Sequence, residues 1–79
     1  MLTDLTAVEK VVGAKQAKRA LRDGKARRVY LAQDADPRVT EPIAELCAQQ
    51  GVPVEEVAKM KDLGNACGIN VGAAVVVSL

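Results

Sequence analysis

Arg28-Val29-Tyr30-Leu31-Ala32-Gln33-Asp34-Ala35-Asp36-Pro37 contains the change of hydrophobic period on which the fold turns. The first five residues are rich in β-formers and bounded by polar neighbours, so they read as a strand. Asp34 to Pro37 is turn chemistry, with an Asp or Thr40 available to cap a following helix. Beyond it, Val39, Ile43, Leu46 and Cys47 fall on one face of a helix over about residues 38–50, and Gly51 ends that helix.

The alternation continues in both directions. Upstream, Val11-Val12 reads as a short strand ended by Gly13, and a basic helix then runs to about Asp23 and stops at Gly24. Further upstream, Leu2 before Thr3-Asp4 resembles a capped start, with Leu5, Val8 and Val12 marking a short first helix. Downstream, residues 52–57 contain a short strand whose Pro53 suggests an edge position or a strand start. A short helix over about Met60 to Cys67 stops at Gly68, and Gly72 to Ser78 makes a last strand apolar enough to be buried on both faces. The order α-β-α-β-α-β-α-β predicts an α/β fold: a three-layer α/β/α sandwich around a small four-stranded mixed sheet.

Length and composition narrow the function classes. A chain of 79 residues is expected to form one domain, and 49% of it is hydrophobic, mostly Ala and Val. Tyr30 is the single aromatic residue, so the core is expected to be small aliphatics between closely approaching layers. One aromatic cannot build the stacking platform of sheet-based single-strand RNA binders. There is no basic leader ahead of an apolar run, and the run Gly72 to Val77 is too short to span a bilayer. A cytoplasmic protein without membrane contact is expected. Cys47 and Cys67 are far apart, with no CxxC and no histidine, which argues against zinc and for two buried thiols, a single disulfide being the alternative. Without His, a serine elbow or a cysteine beside a base, catalysis lacks its usual groups. Neither GxGxxG nor a Walker pattern is present, so no cofactor is expected. Asp34 and Asp36 could hold magnesium, but an Asp-rich turn before Pro uses carboxylates for capping, and no metal is expected.

Charge supplies the positive signal. From Lys10 to Arg28 lie eight basic residues and one acid, a segment of +7; the remainder has three basic residues and nine acids, −6. The formal net charge of +1 hides this separation. Within the segment, Lys15, Lys18, Arg19 and Arg22 follow i, i+3, i+4, i+7 spacing on one helical face, while Ala14, Ala17 and Leu21 form another, apolar face. A cationic helix start with unpaired N–H groups suits a polyanion; a solvated basic face is the other reading of the same pattern.

Four segments carry a resemblance to a known family: Gly13-Ala14-Lys15-Gln16-Ala17-Lys18-Arg19, Leu31-Ala32-Gln33-Asp34-Ala35-Asp36-Pro37, Val52-Pro53-Val54, and Leu63-Gly64-Asn65-Ala66-Cys67-Gly68-Ile69-Asn70-Val71-Gly72-Ala73-Ala74. In order and spacing, from about Val8 to Leu79, they resemble the large-subunit ribosomal protein seven-Ae family, which includes the thirty-e proteins, and within it the short bacterial members. The resemblance implies binding of kink-turn RNA, a duplex bent by a bulge beside tandem sheared G·A pairs. The family pattern Gly-Thr-Asn-Glu-x-x-Lys falls on Gly13, Ala14, Lys15, Gln16 and Arg19. The resemblance implies that Lys15, Gln16 and Arg19 read the G·A pairs in the widened major groove, Arg19 reaching guanine or phosphate, and that Ile69, Asn70 and Val71 cover the bulged nucleotides; Lys18 and Arg22, by their charge on the same face, are expected to neutralise phosphate. Glu could accept two guanine N–H donors with charge assistance, whereas Gln16 accepts only through its carbonyl oxygen. Lys15 can donate to guanine O6 or N7 but cannot accept. Affinity is therefore expected to lean on phosphates. The expected partner is structured RNA containing a kink-turn, with ribosomal RNA or ribosomal proteins as further candidates, and the protein is expected to be a monomer. Two other function classes remain open at this point. One is a protein-interaction module docking a basic partner on Glu41, Glu45, Glu55 and Glu56; the other is a ligand-binding fold with an anion site at Gly13.

Overall fold

The computed structural model describes residues 9–69 and 71–79. Within these, β1 (Lys10–Val12), α1 (Ala14–Arg22), β2 (Arg28–Ala32), α2 (Pro37–Gln50), β3 (Val54–Val57), α3 (Met60–Ala66) and β4 (Val75–Ser78) follow one another along the chain. The four strands form one mixed sheet in the order β1-β4-β2-β3. β2 and β3 are parallel, with Val29 opposite Val54 and Ala32 opposite Val57. β4 runs antiparallel to both β1 and β2, with Val76 opposite Val12 and Tyr30. The expected first helix lies outside the described residues.

Strand alternation builds the layers. Val29 and Leu31 of β2, with Val75 and Val77 of β4, face α1 and α2 and pack with Ala17, Ala20, Leu21, Ile43 and Cys47. Tyr30 and Ala32, with Val76, point the other way onto Leu63 and Cys67 of the α3 side. The crossovers β1 to β2 and β2 to β3 step in the same direction across the sheet. Connections of one hand then lay α1 and α2 on the same face, leaving the other to α3. The three-layer α/β/α arrangement with a four-stranded mixed sheet is thus as the sequence predicts.

One strand start differs from the sequence reading. β4 begins at Val75 rather than Gly72, because the Ala73 amide donates 3.0 Å to the Met60 carbonyl of α3 instead of to a neighbouring strand. β3 begins at Val54, just after Pro53, whose carbonyl still accepts from Val29 at 3.0 Å; β3 is an edge strand. Tyr30 is 4% exposed, fully part of the core.

Both expected caps are present, one of them at an unexpected place. Asp36 caps α2: its Oδ1 accepts from the Arg38 amide at 2.9 Å, and its carboxylate also grips the Arg38 guanidinium at 2.8 Å. Asp34 instead reaches α3, accepting from the Met60 amide at 2.8 Å. Cys47 and Cys67 are free and buried, and burial pushes both thiols up.

The Arg38 side chain holds the Asp36 carboxyl below its ordinary value of 3.8, with the Arg38 amide adding to it. A depressed carboxylate stabilises the fold above its unfolded value, and that contribution is lost as pH falls through the lower folded value. Asp36→Ala is therefore expected to lower stability at neutral pH. The difference from the parent should shrink towards zero as acid protonates the site, read by chemical denaturation between about pH 5 and about pH 2. A difference that stays constant across that window would show that the Asp36 carboxylate is not ionically coupled to α2.

Candidate nucleic-acid interface

The strand directions gather several helix starts at one end of the sheet. β2 and β3 end there, β4 begins there, and β1 ends there. It follows that the starts of α1, α2 and α3, together with the 68–74 connection into β4, open on the same end.

α1 begins at the rim of this end. Gly13 has φ 108°, a conformation that L side chains rarely adopt, and a Cβ built there would meet nothing within 4 Å. Glycine is required by the backbone and not by crowding, and the space beside it is open. The Gly13 amide donates 2.9 Å to the Val75 carbonyl, fixing the start of α1 against the start of β4. The first helical bond runs from the Ala17 amide to the Gly13 carbonyl, which leaves the N–H groups of Ala14, Lys15 and Gln16 outside the helical ladder. Among the described residues no side chain caps this end, and no acid lies in its first turn.

The α1 side chains divide by face. Ala17, Ala20 and Leu21 are buried and Ala14 packs half-buried beside them, so what Ala14 offers a ligand is its amide. Lys15, Gln16, Lys18, Arg19, Arg22 and Asp23 line one shallow depression along the helix. Lys18 and Arg22 also border a groove shared with Pro42, Glu45, Leu46 and Gln49 of α2. Among the described residues, Lys15, Lys18, Arg19 and Arg22 form no ion pair. Lys15 sits in the first turn, at the positive end of the helix dipole, whereas Arg19 and Arg22 lie in the last turn; four like charges along one face repel one another, a cost that a bound polyanion relieves.

The +7 segment of the sequence is not one patch in space. Arg28 lies at the opposite end of the sheet, paired with Glu55 at 3.7 Å, and the Arg27 amide bonds the Ser78 carbonyl at that end. Of the acids that the sequence offered as a docking face, Glu41 and Glu56 line one depression, while Glu55 pairs with Arg28 and Glu45 stands apart. Glu45 borders the groove beside Lys18 and Arg22, and Glu56 accepts from Gln33 at 3.0 Å.

The 68–74 connection starts from a tight helix end. Gly68, at φ 76°, sends its amide to the Asn65 carbonyl at 3.0 Å, and the Ile69 amide returns to the Gly64 carbonyl at 3.1 Å. This is the Schellman arrangement, with its apolar contact supplied by Ile69 packing on the α3 core. Ile69 therefore turns inward, whereas Val71 is 69% exposed. Asn70 lies outside the described residues. The connection thus offers Val71, not Ile69, as its most exposed apolar surface.

Residues 5–79 match the model of the ribosomal protein L7Ae/L30e/S12e/Gadd45 family. The chain belongs to this family. It is 50% identical over 72 residues to an RNA-binding protein of Geobacillus sp. (strain WCH70), covering 91% of this chain and 88% of that one. It is 45% identical over 75 residues to the RNA-binding protein YbxF of Geobacillus stearothermophilus, covering 95% and 92%. Among solved structures, the Giardia lamblia 15.5kD RNA binding protein superposes with a TM-score of 0.84 at 31% identity. That match covers 89% of this chain and 59% of the Giardia chain. No described helix is long and apolar enough to cross a membrane.

Asp34 and Gly64 have structural roles that sequence reasoning did not find. Asp34 reads as a local turn residue, and its bond to Met60 crosses 26 positions. A Cβ on Gly64 would run into the Val71 carbonyl, a closeness visible only once α3 and the 68–74 connection are placed together.

Proposed function

We propose that this protein is a non-catalytic RNA-binding protein that recognises kink-turn RNA and stabilises its bent form. The observation that carries the reading is α1: four cations that form no ion pair among the described residues, Gln16, and first-turn amides outside the helical ladder beside an open glycine. Family membership and relatives described as RNA-binding proteins support it.

In this reading Lys15, Gln16 and Arg19 meet the sheared G·A pairs. Lys15 and Arg19 donate to guanine O6 and N7, and Gln16 accepts from a guanine N–H through its carbonyl oxygen. Lys18 and Arg22, further along the helix, neutralise backbone phosphates. Val71 covers an unstacked bulge base from the adjoining connection. The protein supplies no chemistry. By binding only the kinked conformer it shifts the RNA's own equilibrium by mass action.

Salt and RNA shape test this together. Titrations are made at several salt concentrations with a kink-turn RNA and with a control in which Watson–Crick pairs replace the sheared pairs. Each neutralised duplex phosphate is expected to contribute about −0.9 to the slope of log affinity against log salt. The expected outcome is a slope of several units for the kink-turn and binding at least about tenfold tighter than to the control, about 1.4 kcal/mol. Equal binding to both RNAs would reduce α1 to a generic polyanion surface.

A further inference from the structure

The connection before β4 is braced from two sides. At its C-terminal side, the Ala73 amide donates 3.0 Å to the Met60 carbonyl, and Gly72 approaches so closely that a Cβ there would lie 3.0 Å from Met60 Cβ. At its middle, the Val71 carbonyl lies against Gly64, where a side chain would collide with it. Both supports belong to α3. This helix has only Lys59 at its own cap position, with no side-chain bond there, and its first amide is held by Asp34 from the turn after β2. A continuous relay therefore runs from the β2–α2 turn through Asp34 Oδ1 to the Met60 amide, and from the Met60 carbonyl to the Ala73 amide.

From this relay we infer that Asp34 and Gly64 are positioning residues for RNA binding. They set where Val71 stands relative to the start of α1, although neither belongs to the RNA-contacting set. This inference rests on the function proposed above. Val71 and α1 reach the sheet by separate routes. The Gly13 amide ties α1 to the Val75 carbonyl, while the connection carrying Val71 hangs on α3, which lies on the other face of the sheet. Without the Asp34 cap, α3 can shift along the sheet and carry Val71 with it, while α1 stays in place. A rigid RNA that must touch both surfaces at once then loses the fit, because preorganisation sets how much binding energy is retained.

The experiment uses the full chain and two RNAs, a kink-turn and the same kink-turn shortened by removal of its bulged nucleotides. Asp34→Ala is expected to weaken binding to the bulged RNA about tenfold, the affinity loss corresponding to one misplaced contact surface. Asp34→Asn keeps an acceptor at Oδ1 and is expected to bind within about twofold of the parent. In a Val71→Ser background, Asp34→Ala should have little further effect, since the surface it positions is already gone. Gly64→Ala is the second variant. Its Cβ collides with the Val71 backbone carbonyl, so the connection must shift; a thermal melt establishes that the variant is folded before binding is read, and the same dependence on Val71 is expected.

Additive losses in the Val71→Ser background, or an Asn variant as weak as the Ala variant, would overturn the positioning role. So would unchanged binding by both Asp34→Ala and Gly64→Ala. If the parent protein itself binds the kink-turn no better than a Watson–Crick control, the functional reading fails first. That result is distinct from a parent that discriminates and variants that do so equally well.

Discussion

Arg19→Ala and Gln16→Ala are each expected to weaken binding to kink-turn RNA by about 1–3 kcal/mol, the usual loss for a base contact. Both side chains are exposed and neither is part of the core, so the melting temperature should stay within about 2 °C of the parent, as for surface substitutions. Discrimination against a Watson–Crick control should fall with affinity, because the lost contact reads the sheared pairs. Arg22→Ala, a full helical turn from Lys18 and nearer the far end of α1, is expected to cost less and mainly to flatten the salt dependence. Isothermal titration or fluorescence anisotropy separates the two patterns. Equal small losses from all three variants, with discrimination intact, would mean that α1 acts only as a diffuse counterion surface.

Leu21→Ala is expected to have the largest effect on stability. Leu21 is 0% exposed and, with Ile43 and Leu63, among the largest fully buried side chains. It belongs to a close-packed cluster with Ala17, Ala20, Leu31, Ile43 and the strand valines Val29, Val75 and Val77. Losing a buried Leu costs about 2–5 kcal/mol, more where the site cannot collapse. In a domain of this size that corresponds to a fall in melting temperature of at least about 8 °C. Leu21 also fixes the buried face of α1 against the sheet, so loosening it should weaken RNA binding near the transition but not well below it. A fall of less than about 2 °C in a thermal melt would show that the two layers are not held by this contact.

Much of the fold was legible because its signals are local. In β2, the turn and α2, alternation, an Asp cap and a terminal glycine all lie within reach of one another in sequence, and each element stands where its residues place it. The same holds for α1, whose basic and apolar faces separate at helical spacing. What was not legible depends on contacts between distant segments. Gly72 to Ala74 has the composition of a strand, but Met60 captures the Ala73 amide and delays β4 to Val75. Asp34 looks like a cap for the helix that follows it and caps the next one instead.

The candidate site divides in the same way. The one-sided basic face of α1 could be read from spacing alone. Its separation from Arg28 could not, because residues close in sequence lie at opposite ends of a sheet whose strand order only the structure gives. Ile69 and Val71 are both aliphatic and two positions apart. Only the Schellman turn at Gly68 decides that the first packs on α3 and the second meets solvent.

A protein that holds one RNA shape must bend its RNA as it binds. A kink-turn RNA labelled at its two ends with a fluorescence-transfer pair is titrated with the protein in salt without divalent ions, beside the Watson–Crick control. A rise in transfer for the kink-turn alone, saturating with the same midpoint as binding, is the predicted result. Binding without any change in transfer, or the same change in both RNAs, would contradict it.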